Sequence, residues 1–427
     1  MSTTHGALVA IAKVREHPNA DRLKLAQVGG FQVVVGEDTQ DGDVVLFFSS
    51  ELQLSEEYAT ANDCVGYTDE NGERKGGYFG KNRKVRPQKF RGERSEGYIA
   101  PLSSLDVMIG VSEGDAEMSL QVGDIISEWN GVPVCNKFIS KATKQFNGTP
   151  KQRKQHPDFP KHYDTEQLGY YYQDIPLGAL ITITAKVHGT SQRTGVVPEM
   201  VELPRTLWDK IRRRTRTEEQ WVTLNGTRNV VLDGAPTAVG FYADESFRQK
   251  AMSKFEGQLS RGEIVYYEVV GWTGPDSTVM PPYDLTGSKD FKKLGKGVFS
   301  YGAFPGTCEA YVYRITQMHE DAYGNRVHRD LPWHQVQQRC KEMDVKIVPT
   351  LQQFINYHDP QEVLDIVNLH LEDPWDVIDP THIKEGVVVR VDAPGRTYSL
   401  KAKTLGFRVA EGIIREVDDV VDLEEVS

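Results

Sequence analysis

"AKVHGTSQRTG", residues 185–195, ends the alternating run "ALITIT" and sets a lysine beside a histidine and a glycine. Strand alternation puts Ile181, Ile183 and Ala185 on one face and Thr182, Thr184 and Lys186 on the other. Gly189 permits a sharp bend and a close approach to a ligand. A lysine amine attacks phosphorus or carbonyl carbon only when neutral, so a reactive Lys186 needs burial or neighbouring cations. The plain alternative is a solvated lysine at a strand end.

Other residues decide between these readings. Lys401 and Lys403 alternate with Leu400 and Ala402 in "SLKAKTL" and so share a strand face. Two adjacent ammoniums repel unless an anion such as a phosphate lies between them. Glu385 opens "EGVVVRV", and Glu268 interrupts the apolar "IVYYEVVGW". A carboxylate in such a strand is costly unless paired, hydrogen-bonded or bound to metal. Taken singly, each of these residues is more often a strand-end residue with a salt bridge; their combination is a different matter.

The 427 residues, 39% hydrophobic and 26% charged, suit two or three globular domains. No apolar run reaches the ~18 residues of a membrane span, and the start has neither signal nor transit character. No membrane association and a cytoplasmic location are therefore expected. The four cysteines are dispersed and form no CxxC pair, which argues against a zinc site or disulfide framework. There is no GxxxxGK[ST] loop, no HExxH and no GxGxxG opening a helix, so the usual nucleotide folds are excluded. The net charge of −11 argues against general affinity for nucleic acid. Yet seven Lys/Arg lie in 81–94 against Glu93, seven more in 129–161 against Asp158, and a third cluster comprises Lys210, Arg212, Arg213, Arg214 and Arg216. Such clusters read either as a localised polyanion path or as surface with counter-charges folded nearby.

Residues 1–128 read as all-β, with "ALVAIAKV", "LKLAQVGGFQVVVG" and "GDVVLFFSS" separated by turn residues. Five or six short strands in this length suit a small β-barrel such as an OB-fold. Residues 129–163 read as a basic linker, 164–415 as an α+β domain of antiparallel sheets and helices, and 416–427 as an acidic tail. Within 164–415, "RTEEQWVTL" is placed between two strands, and "DESFRQKAMSKFEGQLSR" and "LPWHQVQQRCKEM" have helical spacing.

Lysine, glutamate, glutamate and paired lysines, each group on its own strand and in this order, resemble the covalent nucleotidyltransferases, which are the polynucleotide ligases and mRNA capping enzymes. "KVHG" resembles their nucleophile motif, Arg228-Asn229 the next element, and "AYVYRI" the aromatic motif. "EGVVV" resembles the metal-binding motif and "KAK" the last lysine motif. Only 24 residues follow Lys403, too few for the C-terminal OB domain of DNA ligases and capping enzymes. "KVHGTS" is similar to the KxHGTN of RNA ligases, and "FPKHYDTEQL" to their approach segment. "HPNADRLKLAQVGGFQVVVG" with "KVRPQKFRGERSEGYIAPL" resembles the N-terminal OB module of Deinococcus-type RNA ligases.

The resemblance implies an ATP-dependent RNA ligase that joins 3′-OH and 5′-phosphate ends, nicks above all, through a lysyl-AMP at Lys186. ATP is the AMP donor, and Mg²⁺ or Mn²⁺ would be held by Glu385 and Glu268. Lys401 and Lys403 would cradle the α-phosphate, Glu268 would bond a ribose hydroxyl, and Tyr313 would stack on adenine or simply pack. Arg228 would meet ribose or the polynucleotide end, and Arg193 a phosphate. His188 and Gly189 complete the nucleotide site; His188 stands where many ligases have Asp, and a structural histidine fits as well. Ser191 stands where the RNA-ligase version has Asn. Lys84, Arg86, Lys89 and Arg91 would track RNA phosphates, with Tyr78, Phe79, Phe90 and Tyr98 available for packing or stacking. A monomer acting on RNA is the expectation. The rivals are a DNA ligase or GTP-using capping enzyme, and a noncatalytic tRNA- or RNA-binding protein.

Overall fold

A computed structural model describes residues 5–111, 114–139, 155–204, 215–232 and 246–416. The basic residues between 141 and 154, the cluster Lys210–Arg214 and all of the acidic stretch beyond Glu416 lie outside the described residues.

The N-terminal region is a curled antiparallel sheet, ordered Gly97–Pro101, Val44–Ser49, Ala7–Glu16, Leu23–Val28, Phe31–Gly36. The first strand changes partner midway. Residues Leu8 to Ile11 pair with Val44 to Phe47, and Ala12 to Glu16 with Lys24 to Val28, which gives a half-barrel. Both faces are covered. Leu8, Ala10, Phe31 and Phe47 form one core, and Ala7, Val9, Phe48 and Tyr58 belong to another.

The segment 129–163 departs from a linker at both described ends. Strand Cys135–Lys137 pairs with Leu52–Leu54, and Val134 and Cys135 are buried in the N-terminal core. Phe159 is buried in a later core with Val197 and Ile264. The density of lysines and prolines hides these few apolar anchors, and burial is decided by them.

Two sheets build the rest. The first is ordered Glu166–Gln167, Arg396–Lys403, Gly386–Ala393, Leu180–Lys186, Thr350–Ile355. One face packs Ile181, Ile183, Val387, Val389, Val391 and Leu400 against Val363, Leu364 and Val367 of helix Pro360–Glu372. The second is ordered Val231–Leu232, Thr217–Thr227, Thr190–Glu202, Glu263–Gly271, Cys308–Glu320, Arg326–Asp330. "RTEEQWVTL", expected between strands, lies largely within strand Thr217–Thr227. Pairing with Gln192–Glu202 along its whole length overrides its charged composition. The helix expected over "DESFRQKAMSKFEGQLSR" is described over Ser246–Ser253, and the second expected helix is Trp333–Glu342.

The chain crosses from the first sheet to the second at Val187-His188-Gly189. A Cβ on Gly189 would lie 2.3 Å from the Val269 carbonyl oxygen, so only glycine allows the two strands to approach there. The N-terminal region is locked to the first sheet in the same manner. Gly169, in helix Leu168–Tyr171, donates nothing but space: a Cβ there would stand 2.5 Å from the Phe31 ring. The Gly30 N–H donates to the Gly169 carbonyl at 2.8 Å, and Tyr170 packs edge-on against Phe31 at 5.1 Å.

Candidate active site

The faces that the two sheets turn towards each other enclose a cavity of about 930 Å³, counting its open mouth. The first sheet contributes Lys186, Val388, Arg390, Ser399, Lys401 and Lys403, which strand register places side by side. Lys186 and Lys403 both pair with Gly386, Val388 pairs with Lys401, and Arg390 with Ser399. The second sheet contributes Ser191, Glu268 and Tyr313, with Ser191 opposite Glu268 in the ladder. Arg228, in the turn after Thr217–Thr227, closes one side and pairs with Asp164.

Behind Lys186 stands Glu385. Its carboxylate has no solvent exposure, and its Oε1 is 2.5 Å from Lys186 Nζ and 3.6 Å from Lys403 Nζ. The His188 ring is 3.6 Å from the other oxygen. One buried anion thus faces three nitrogen centres, an arrangement whose geometry keeps its desolvation cost down. Lys403 Nζ is also 2.8 Å from Glu411 Oε1, on helix Leu405–Glu416.

His188 does not line the cavity. Its ring is wedged edge-on between Phe299 and Phe407, with centroids at 4.7 and 4.8 Å. Its backbone N–H donates to the Tyr301 hydroxyl at 2.6 Å. Burial, with Asp376 nearby, holds that phenol well above its ordinary range, so it stays protonated. Tyr301 therefore pins the turn that presents Lys186, a contact 113 residues away in sequence that no local pattern reveals.

Arg193 is also elsewhere than the sequence suggested. It is buried, lies 4.6 Å over the Phe159 ring, and donates to the carbonyls of Thr227 and Arg228. It holds the turn that carries Arg228 and does not line the cavity. Tyr313 does line it, and its hydroxyl and Ser191 Oγ are 2.7 Å apart. Burial, with Glu268 nearby, raises the Tyr313 phenol.

Among the cavity residues given no role in the sequence reading are His162, Tyr163, Arg314 and Arg390. Arg314 is ion-paired to Asp330 and faces His162 Nδ1 at 3.5 Å, and the His162 ring meets Tyr313 edge-on at 5.0 Å. Burial first, and then Arg314, Arg228, Arg390 and Lys186, push the His162 pKa well below its ordinary value, so the ring is neutral. Burial lowers Arg390 to about 10, and its guanidinium is stacked 4.0 Å over Trp333. The quoted "FPKHYDTEQL" was the available signal for His162 and Tyr163. Nothing local marks Arg390 among the valines of its strand.

Of the N-terminal cations, Lys84 is buried. Its ammonium donates to the Gly412 carbonyl at 3.1 Å and lies over Phe138, so it joins the N-terminal region to helix Leu405–Glu416 and does not lie on an open surface. Arg86, Lys89 and Arg91 are exposed. Tyr78 is exposed and Phe79 buried, with Phe90 and Tyr98 half-buried.

Among the described residues no helix is long and apolar enough to cross a membrane. No curated protein sequence matches the chain. Solved structures share its fold across nearly its whole length. A Naegleria gruberi RNA ligase mutant with AMP and Mn is 16% identical, with a TM-score of 0.56, covering 94% of this chain and 97% of that one. A mutant with ATP and Mn is 17% identical at 0.55, covering 94% and 98%. The same ligase with PPi is 16% identical at 0.54, covering 97% and 99%. The sequence profile of the RNA ligase family matches residues 180–403, more than half of the chain, from the strand of Lys186 to Lys403 itself. By that match the chain belongs to the RNA ligase family of nucleotidyltransferases.

Proposed function

We propose that the protein is an ATP-dependent RNA ligase that seals 3′-OH/5′-phosphate nicks, with Lys186 as the nucleophile. The observation that carries this reading is the cavity in which Lys186, Lys401 and Lys403 converge, with Glu385 behind them. Once it has lost its proton, the Lys186 amine attacks the α-phosphorus of ATP, forming the N–P bond as the P–O bond to pyrophosphate breaks. An oxygen of the RNA 5′-phosphate then attacks the same phosphorus and frees Lys186. Finally the 3′-hydroxyl attacks the activated 5′-phosphorus and AMP leaves. Such transfers depend on positioning and charge neutralisation. Lys401 and Lys403 supply both at the α-phosphate, Glu268 takes a ribose hydroxyl, and Tyr313 and Val388 flank the space for the base.

The residues also fit a divalent ion. The Glu385 oxygens, buried just behind the cavity wall, accept no hydrogen bond of regular geometry, and Glu268 lines the cavity itself. Oxygen donors this few suit Mg²⁺ or Mn²⁺ retaining most of its waters. Bound there, the ion would neutralise phosphate charge. Solved relatives by fold carry ATP or AMP with Mn, which supports the same choice of nucleotide and metal.

The test incubates the protein with α-labelled ATP or GTP and a divalent ion, and then looks for label on the denatured chain. Label from ATP, absent in Lys186→Ala and discharged by a nicked RNA duplex with sealing, is expected. Label from GTP would mean capping chemistry. No label, once prior adenylylation is excluded by mass, would leave an RNA-binding protein.

A further inference from the structure

Between Glu268 and Tyr313 the chain forms a loop that none of the motifs uses. Its stem is the ladder of Tyr283–Asp284 with Lys296–Gly297. Leu285 and Phe291 are buried in the core, and Lys292–Leu294 makes a single 3-10 turn. With the apolar residues turned inward, Lys289, Lys292, Lys293 and Lys296 are left exposed, and Asp290 is the one acid in 289–296.

The loop is wedged between two parts of the molecule. On one side Leu294 abuts Gly406, three residues beyond Lys403, where a Cβ would stand 2.7 Å from Leu294 Cδ1. On the other, the Lys89 ammonium sits 5.2 Å from the Phe291 centroid, within cation–π range. Lys89 belongs to the N-terminal hairpin of Gln88–Phe90 with Glu93–Ser95, whose turn carries the exposed Arg91. Two basic segments some 200 residues apart in sequence therefore abut, next to the strand that ends in Lys403.

We infer that Lys89, Arg91, Lys289, Lys292, Lys293 and Lys296 form one cationic ridge that holds the phosphate backbone of duplex RNA beside the reaction cavity. The inference rests on the RNA-ligase reading above. Like charges crowded on a chain of net charge −11 repel one another, and a polyanion relieves that repulsion. Ammoniums on flexible stems suit backbone positioning and carry no sequence readout. The ring at the centre, Phe291, is buried, so the ridge there offers charge without a platform for unpaired bases.

Binding of a nicked RNA duplex is measured across salt concentrations for wild type, Lys292→Ala/Lys293→Ala and Lys292→Glu/Lys293→Glu. The alanine pair should lower the slope of log K against log salt by about 2, since each phosphate contact contributes ~0.9. Affinity at low salt should fall about tenfold, more for the glutamate pair, with sealing falling in parallel. Lysyl-AMP formation without RNA is the fold control and should match wild type. An unchanged slope and unchanged sealing in both variants, with the control intact, would overturn the ridge. Equal loss of affinity for single-stranded RNA would overturn the choice of a duplex. Failure of the ligase reading looks different: wild type itself would form no lysyl-AMP.

Discussion

Lys403 Nζ lies 2.8 Å from Glu411 and 3.6 Å from Glu385, so the last motif lysine is held between the buried carboxylate behind the cavity and one on the following helix. Glu411 positions that ammonium without itself lining the cavity. Replacing it with Gln should cost up to about 1.5–3 kcal/mol of stability, the range for a hydrogen bond to a charged group. Lysyl-AMP formation should slow by about tenfold to a hundredfold, as small misplacements of reacting groups do. Because Glu411 acts through Lys403, the double variant Glu411→Gln/Lys403→Ala should be no slower than Lys403→Ala alone. Additive losses in single-turnover labelling would show that Glu411 acts by another route.

Arg193 should behave as a positioning residue for Arg228. Its guanidinium is spent on the Thr227 and Arg228 carbonyls, and Arg228 is the member of the pair that lines the cavity. Arg193→Ala should lower thermal stability, because buried carbonyls lose their donors at about 1–3 kcal/mol. It should also reproduce the activity defect of Arg228→Ala, with no further loss when the two are combined. A catalytic defect without loss of melting temperature would instead place Arg193 on the substrate.

Acid should destabilise the fold through three half-buried histidines. His162, His328 and His370 are all held below their ordinary pKa, in each case mainly by burial. Between the folded and unfolded pKa values the unfolded chain binds more protons, so stability falls as pH drops below about 6.5. A melting series from pH 7.5 to about 5 should show the decline, and His162→Asn should make it shallower. An unchanged slope in the variant would mean that the His162 ring is charged, or solvated, in the native state.

The sequence discloses much of this site because its motifs are local. Alternation through "ALITITAK" is enough to put Lys186 on the face opposite Ile181 and Ile183, and one glutamate in an apolar strand already marks position 268. What escaped notice depends on partners far along the chain. Tyr301 matters through His188, Arg193 through the turn at 227–228, and Glu411 through Lys403. Each is an ordinary residue until the fold brings the two together. Lys84 shows the opposite error, since a count of basic residues cannot distinguish an ammonium facing water from one capping Gly412. The loop 289–296 was passed over because its lysines have no family motif to point to them.

Gly169 carries a consequence for how the enzyme handles what it binds. The Phe31 ring occupies the volume of its missing side chain, on a helix that follows directly from Gln167, the register partner of Lys401. Each side of this clasp fills space that the other leaves. A clasp of this kind would set the distance from the N-terminal surface to Lys186, Lys401 and Lys403 at folding, as a built-in gauge. A substrate would have to match that gauge, and Gly169→Ala, by prising the clasp open, would leave the chemistry in place and the measuring lost.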